Sequence, residues 1–573
     1  MLLLLLPCCA PGQTLFTKVT DPNNPPVVFV NTAAPYKGIA WVDLDDDNRP
    51  DLFVNQQFLF HNDGNGQFTQ LPHLAGAGAG QIASGSSWGD LNNDGHPDCI
   101  TTSVVSGLHL NNGDNTFTLQ TASLPGFTDY SGWDCALADA DNNGRLDALF
   151  VHANNFHPTG PFSSRLYLQD SGGVFSAVTG YEFTDQLAPY TIPIWADYDL
   201  DGDMDLFIGA GPAGTPGPDF CYKNLLKENG IFSLQRLTAA PFNALQDGQT
   251  YNFPDVDNDG DLDICLTNYA GAPNRFYRNN GNGTYSSATT PFTKTNNHLA
   301  NVWGDVDNDG DLDVLVTSDG TTAVQLFRNT GNGIFEAGKT AGTVTGSASG
   351  IAMADYDNDG DLDFYTNGAN TARALFRNDS LAGNRQWIQL SLQGVQSNYS
   401  AIGATVRVKT TLNGQPVWQI RQVQAHNSFQ SQNDLRVHFG LSDALTADSV
   451  EIRWPSGLKE VFTGLVSGNF YKAVEGQGIG ILEAATPLAA PTPFQIAPNP
   501  AGQEFRIILP ENSPGVESIL VFDTAGRVCP VSKWAVGNEW ALRFDNRHAP
   551  AGKYYVRVVL DGHRVALGVL VKY

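Results

Sequence analysis

Aspartates recur at fixed spacing through the first two thirds of this chain, in seven copies of the pattern D-x-D-x-D-G-x-x-D. Loop 1 spans Asp43–Asp51 (DLDDDNRPD), loop 2 Asp90–Asp98 (DLNNDGHPD), loop 3 Asp139–Asp147 (DADNNGRLD) and loop 4 Asp197–Asp205 (DYDLDGDMD). Loops 5 and 6, Asp255–Asp263 and Asp305–Asp313, share the string DVDNDGDLD, and loop 7, Asp355–Asp363, reads DYDNDGDLD. Carboxylates at positions 1, 3 and 5 of a tight loop can converge on one point, and Gly at position 6 permits the positive φ that folds them inward. Hard oxygen donors with no Cys or His among them suit Ca²⁺ rather than zinc or copper.

The candidate ligands, at positions 1, 3, 5 and 9, follow directly. Loops 1 to 3 offer Asp43, Asp45, Asp47 and Asp51; Asp90, Asn92, Asp94 and Asp98; Asp139, Asp141, Asn143 and Asp147. Loops 4 and 5 offer Asp197, Asp199, Asp201 and Asp205; Asp255, Asp257, Asp259 and Asp263. Loops 6 and 7 offer Asp305, Asp307, Asp309 and Asp313; Asp355, Asp357, Asp359 and Asp363. The first three loops are weaker candidates, because Asn92 and Asn143 replace carboxylates and Asn48 replaces the Gly. An EF-hand is excluded: it needs a bidentate Glu at position 12, where this chain has Leu266, Val316 or Thr366, and flanking helices where it has β-type runs.

The elements that position these loops are readable from the spacing. Successive loops begin 47, 49, 58, 58, 50 and 50 residues apart, the period of a propeller or solenoid. Each unit carries an apolar run before its loop (GIAWVD, PIWADYD, NVWGDVD) and another after it (DLFVN, DLFIGA, DVLVTS). Two further runs then flank an N-G-x-G hairpin tip, as in LFHNDGNGQFTQL from Leu59 and LFRNTGNGIFEAG from Leu326. Four strands per unit and seven units predict an all-β chain whose first part is a seven-bladed β-propeller. Units one to six are expected to end in strands at Phe68, Phe117, Phe175, Phe232, Tyr285 and Phe335. Unit seven lacks such a strand, so Leu15–Val19 is expected to complete the last blade and close the ring.

Composition bounds the rest. An apolar fraction of 41% indicates a well-cored globular protein. A net charge of −27 disfavours nucleic acid and anionic membranes as partners. Seven Ca²⁺ ions would supply +14 and leave about −13. Cys99, Cys135, Cys221, Cys265 and Cys529 have no metal-ligand spacing; buried thiols are expected, with a disulfide as the alternative. The opening MLLLLLPCCAPGQ, residues 1–13, reads as the remnant of a secretory signal, and no 18-residue apolar stretch predicts a spanning helix.

These motifs resemble known families. Residues 14–383 resemble FG-GAP/VCBS-repeat propellers of the integrin α type. Residues 384–476 resemble the ASPIC/UnbV domain, through NRQWIQLSLQG from Asn384, SNYSAIGATVRV from Ser397, FQSQNDLRVHFGL from Phe429 and VEIRWPSG from Val450. Propeller plus this domain is the arrangement of the cartilage acidic protein-like family, which implies an extracellular calcium-binding protein. Within 384–476, Ser431, Gln432, His438 and the turn Trp454–Gly457 are polar features with two readings, ligand contacts or turn and core packing. Residues 477–493, rich in Ala, Pro and Thr, read as a linker. Residues 494–573 form a predicted C-terminal β-sandwich that resembles a type IX secretion sorting domain, through Pro498–Ala501, Asp523–Arg527 and Gly552–Tyr555. That resemblance implies the type IX machinery as a partner and export across the outer membrane; a permanent binding sandwich is the alternative.

No catalytic set emerges from the sequence. Gly85–Gly89 fits G-x-S-x-G, but it aligns with strand segments that lead into the loops, not with a strand-to-helix elbow. His152 and His157 lack a third ligand for zinc. The expected function is recognition of a glycan or an extracellular protein, with insertions from His152 and Gly211 as a candidate rim. A polysaccharide lyase or hydrolase and a purely structural surface protein are the other readings.

Overall fold

The structure, a computed structural model, describes residues 15–482 apart from short stretches, chiefly 30–35, 75–84, 103–105, 212–216 and 379–384, together with the strands of 495–572. Residues 1–13 and the segments 498–501 and 523–527 lie outside the described residues.

Seven four-stranded antiparallel sheets carry the Asp loops. Their first strands are Ile39–Val42, Ser86–Gly89, Asp134–Ala138, Tyr190–Ala196, Gly248–Asn252, His298–Gly304 and Ala348–Ala354. These strands neighbour one another in sequence order, and the seventh returns to the first, as in a propeller. First and second strands such as Tyr190–Ala196 and Asp205–Ala210 are buried at every position, because each is covered by adjacent sheets on both faces. The outermost strands are less buried, as in Gln67–Gln70, where only Phe68 is covered. This gradient explains why the inner runs read as continuous apolar stretches.

Ring closure follows the expectation. Phe16–Lys18 pairs antiparallel with Arg373–Asn378, Phe16 opposite Asn378, and supplies the fourth strand of sheet 7. Phe16 is 3% exposed and meets the edge of Phe364 at 4.8 Å between centroids.

Two outer strands depart from the expected positions. In sheet 4 the fourth strand is Leu234–Arg236, displaced past Phe232 by the short helix Leu226–Asn229. In sheet 6 it is Lys339–Thr343; Phe335 makes only an isolated bridge with Asn329. The Phe335 ring nonetheless packs on Phe292 and Trp303, so its apolar character serves the core without extending the strand.

The second domain has two four-stranded sheets. One orders Val437–Ser442, Gln386–Gln393, Asn469–Val474 and Gly478–Ile481, with a parallel pair between Gln386–Gln393 and Asn469–Val474. The strand Gly478–Ile481 falls within the compositional linker 477–493. The other sheet orders Gln415–Gln422, Thr405–Leu412, Thr446–Arg453 and Lys459–Val466. Its core is continuous with the propeller's, for Ile402 and Val406 share one cluster with Leu91, Leu137 and Leu146. At the C-terminus, a four-stranded and a three-stranded sheet pack through Phe505, Leu542 and Phe544 against Val521, Tyr554 and Val556, giving a sandwich.

Candidate metal loops and the domain that caps them

Each Asp loop joins the first strand of a sheet to the second, so all seven lie at one end of the ring. Their shared backbone explains the motif. Position 4 has positive φ throughout, from 51° at Asn142 to 59° at Leu200, and position 6 has φ of 85° to 101° where it is Gly and 64° at Asn48. Asn is the side chain best suited to the first of these positions after Gly. The position-1 carboxylate accepts backbone N–H groups from across the turn: Asp305 Oδ1 from Asp309 at 3.0 Å and Oδ2 from Gly310 at 2.7 Å, with equivalents at Asp43, Asp90, Asp139, Asp255 and Asp355.

Position 9 spends both oxygens on the backbone. Asp313 accepts the N–H of Val306 at 3.2 Å and of Asn329 at 2.7 Å, and the same pair of bonds recurs at Asp51, Asp98, Asp147, Asp205, Asp263 and Asp363. The third strand therefore ends on this carboxylate. Its recurrent Asn (Asn62, Asn224, Asn329, Asn378) also donates Nδ2 to a carbonyl of the preceding loop around the ring, Tyr356, Ala140, Val256 and Val306 respectively. The position-4 Asn residues add a second tie. Asn93, Asn142, Asn258, Asn308 and Asn358 donate to the position-6 carbonyls Gly144, Gly202, Gly310, Gly360 and Asn48 of the next loop. Leu200 and Asp46 cannot donate, and the ladder breaks there. The sequence carried a signal for both Asn sets, in the recurrence of Asn within HND, YKN, FRNT and FRND and at the centre of five of the seven loops.

Candidate donor atoms of Asp43, Asp45 and Asp47, of Asp139, Asp141 and Asp147, and of Asp197, Asp199 and Asp205 lie within 4.8 Å of one another. Buried Asp197 Oδ1 and Asp357 Oδ1 have no hydrogen-bond partner among the described residues. All-oxygen donors with unspent lone pairs fit a hard divalent cation such as Ca²⁺. Burial is the first cause of raised carboxyl pKa values in every loop. Asp43, Asp98, Asp139, Asp263, Asp305 and Asp357 rise to about 7, and Asp197 and Asp255 to about 8.

Side-chain cations on the third strand also answer this charge. His61 lies 3.0 Å from Asp51, Lys223 3.1 Å from Asp201, and Arg278 2.6 Å from Asp257; Arg328 pairs with Asp307 and Arg377 stands near Asp357. The two sheets with Leu at this place, Leu110 and Leu168, are those whose loops have Asn92 and Asn143 in place of a carboxylate. Charge on the loop and charge on the strand thus change together.

The second domain sits on this loop end. Arg453 donates to the Leu200 and Asp201 carbonyls, and Lys472 pairs with Asp46 at 2.8 Å, so basic residues meet the two loops where the Asn ladder stops. Arg436 donates to the carbonyls of Asn48 at 2.9 Å and Asp355 at 2.8 Å. Gly360 lies so close that a Cβ there would come 1.8 Å from Trp387 Nε1.

From this domain, residues 424–436 enter the axis of the ring. Gln432 pairs its backbone with Ile39 and Trp41, and its side chain with both backbone groups of Trp88 at 2.7 and 3.2 Å. Ser87 donates to the Ala425 carbonyl, Gln430 to Trp133, Gln424 to Trp195, Asn252 to Asn427, and Met353 N–H to Asn433. His426 Nε2 lies 2.7 Å from Asp134, both buried. Six of the seven first strands are engaged. Ser87, the serine of the G-x-S-x-G match, is thus a packing hydroxyl bonded to Ala425 and Leu137. Ser431 and Gln432 are fully buried in this segment, His438 Nε2 faces the Gly360 carbonyl at 3.1 Å, and Trp454 Nε1 donates to Glu460. These are packing roles. Cys99, Cys135, Cys221 and Cys265 are buried free thiols, and His152 and His157 pack with ring centroids 4.9 Å apart and planes tilted by 55°.

Comparison with known proteins agrees with this division. The FG-GAP-like repeat model matches residues 43–101, 255–316 and 305–366, and the ASPIC and UnbV model matches residues 394–480. The chain therefore contains FG-GAP-like repeats and an ASPIC/UnbV domain. No curated protein sequence matches it. Among solved structures, it is similar to an Agrocybe aegerita lectin described as recognising non-reducing terminal N-acetylglucosamine, at 17% identity and TM-score 0.40, covering 61% of this chain and 92% of the lectin. It is similar to BBS1N from a complex with ARL6DN at 11% identity and TM-score 0.39, covering 65% and 99%. It is similar to a Penicillium chrysogenum α-L-arabinanase complexed with arabinobiose at 10% identity and TM-score 0.33, covering 64% and 97%. TM-scores this low carry no inference about ligands. No described helix is long and apolar enough to cross a membrane.

Proposed function

We propose that this chain is a secreted or cell-surface calcium-binding propeller protein that recognises a glycan or protein ligand, with calcium at the 28 loop positions named above. The observation that carries the reading is the capped loop end. Loops covered by the second domain, with an axis filled by residues 424–436, favour a structural role for calcium and leave recognition to the opposite rim. There, where the second strand of sheet 4 turns into the third, a cleft of about 570 Å³ lies among sheet 4 and the segments that lead into and out of it, lined by Glu182, Phe220, Arg236, Phe242 and Asn243. Arg236 pairs with Glu182 at 2.5 Å and lies 4.2 Å from the Phe220 ring centroid, so the wall offers both an aromatic face and charge. His152, next after the second strand Asp147–Val151, and Gly211, which lines the cleft, begin the two insertions and support this rim as the binding side. The resemblance of residues 494–573 supports export by a type IX route, with the tail serving the machinery and not the ligand.

The test is a glycan array probed with residues 13–482 in millimolar Ca²⁺, with a chelated duplicate, followed by Arg236→Ala. Binding to one sugar class that the substitution abolishes supports the reading. Silence of a calcium-loaded, folded protein removes the glycan half and leaves protein partners; binding unchanged by Arg236→Ala removes the cleft.

A further inference from the structure

Loops 5 and 6 share one nine-residue string, so any difference between them comes from their neighbours. In loop 5, Arg278 of the third strand Arg275–Asn279 lies 2.6 Å from Asp257 and 3.3 Å from Asp263. No other cation among the described residues comes within ion-pair distance of that loop's carboxylates. In loop 6 the equivalent Arg328 pairs with Asp307 Oδ2 and lies 3.9 Å from Asp309 Oδ2. A second guanidinium joins it there. Arg385 Nη1 lies 2.6 Å from Asp307 Oδ1 and 3.4 Å from Asp309 Oδ2, and it donates to the Asp307 carbonyl at 2.6 Å. Each carboxylate oxygen of Asp307, whose side chain is 7% exposed, thus faces a different arginine. Arg385 is no part of the repeat: it directly precedes Gln386–Gln393, the first strand of the second domain.

Asp307 and Asp309 are positions 3 and 5 of loop 6, whose oxygens an ion in the loop would take as ligands. A divalent cation and a guanidinium repel each other at contact distance, and one nitrogen of Arg385 reaches both carboxylates, so the arginine cannot stay in place beside the ion. We propose, resting on the calcium reading of the loops, that Arg385 is a built-in competitor for calcium at loop 6, the ion and the arginine excluding each other. Exclusion acts in both directions. Arg385 weakens the ion at loop 6 relative to its sequence twin, loop 5, and an ion in loop 6 weakens the hold on Arg385 by the same factor. Hydrogen bonds to charged groups of this kind correspond to about tenfold in affinity or more. Because Arg385 stands at the first strand of the second domain, filling loop 6 frees the root of that domain while the carbonyl contacts of Arg436 and Arg453 persist. Two loops of identical sequence therefore answer to different calcium concentrations, and the later one carries a local release at the junction between the domains.

Calorimetric titration of the metal-stripped full chain with Ca²⁺ tests this on the wild type, Arg385→Gln and Asp309→Asn. One binding step is expected to tighten about tenfold in Arg385→Gln with the number of bound ions unchanged, and the same step is expected to be the one that Asp309→Asn weakens most. Phenylglyoxal labelling of Arg385 in the wild type, read by mass spectrometry, is expected to rise over the calcium range that fills this step. If Arg385→Gln fails to fold, Arg385→Lys takes its place: a single ammonium lacks the fork, and a severalfold tightening is expected. A titration that superimposes on the wild type, or labelling of Arg385 that stays constant or falls as the step fills, overturns the proposal and leaves the calcium reading standing. Absence of calcium binding from all three proteins removes both.

Discussion

Calcium should stabilise this protein more at about pH 8 than at about pH 5, and the size of the difference follows from the loops. Every loop holds at least one buried carboxyl raised from 3.8 to about 7 or 8, such as Asp43, Asp98, Asp139, Asp197, Asp255, Asp305 and Asp357. A carboxyl raised on folding keeps its proton longer in the folded than in the unfolded chain. Its contribution to stability is therefore complete below about pH 4 and is lost as pH rises through the folded value. Calcium needs the ionised form. At about pH 5 an ion must displace a proton from a group with pKa about 7, which costs about 3 kcal/mol per loop; at about pH 8 that cost has largely gone. For about 470 residues unfolding together, an entropy near 2 cal/mol/K per residue converts 1 kcal/mol into roughly 1 °C. The calcium-induced rise in Tm should thus be larger at the higher pH by about 3 °C if one loop is occupied and by about 20 °C if all seven are. Buried His109, His157 and His298, pushed down to about 4, act in the opposite direction, since they resist charging as pH falls. They titrate alike with and without the ion, so the calcium increment isolates the loops. Calorimetry on metal-stripped full chain, at both pH values with and without millimolar Ca²⁺, reads this directly. An increment equal at the two pH values, or larger at the lower one, would refute the reasoning.

Two further expectations concern the ring itself. Phe16→Ala removes a buried ring from the closing strand and should cost about 3–5 kcal/mol, lowering Tm by a similar number of degrees; an unchanged melt would mean that the strand does not hold the ring shut. Leu200→Asn should stabilise by about 1 kcal/mol, since Leu200 holds φ of 59° that Asn tolerates better and Asn can resume the loop-to-loop bond; a urea midpoint that stays or falls would refute it.

The repeat was legible because its causes are local. The turn that needs positive φ at two positions and carboxylates at 1 and 9 is contained in nine residues, and the inner strands beside it are buried on both faces. Closure by Phe16–Lys18 was legible for a related reason: the seventh unit lacked a strand, and the missing piece had to come from elsewhere. The outer strands of sheets 4 and 6 were misplaced because Phe232 and Phe335 carry an apolar signal that serves packing and not pairing. The axial segment was the hardest. Within QAHNSFQSQNDLR, Ser431 and Gln432 were left open between ligand contact and turn or core packing, and the segment's partners are backbone groups of strands up to hundreds of residues away, such as Ile39 and Trp88. Backbone amides leave no trace in side-chain identity, so polarity that looked available for a ligand is spent within the chain.

This burial changes how a calcium requirement should be interpreted. In an open propeller a metal loop can meet a ligand directly. Here Arg436, Arg453, Lys472 and Trp387 lie on the loop end, and Gln432 ties the second domain to the innermost strands. The loop carbonyls that Arg436 and Arg453 read are held in place by the same turns whose carboxylates are proposed to bind the ion. An ion that orders those turns therefore also orders the seat of the second domain. Loss of ligand binding on chelation would then report a loosened seat and a distorted opposite rim, not a broken metal–ligand bond, and it should be accompanied by proteolytic exposure of residues 424–436 under conditions where the propeller sheets remain protected.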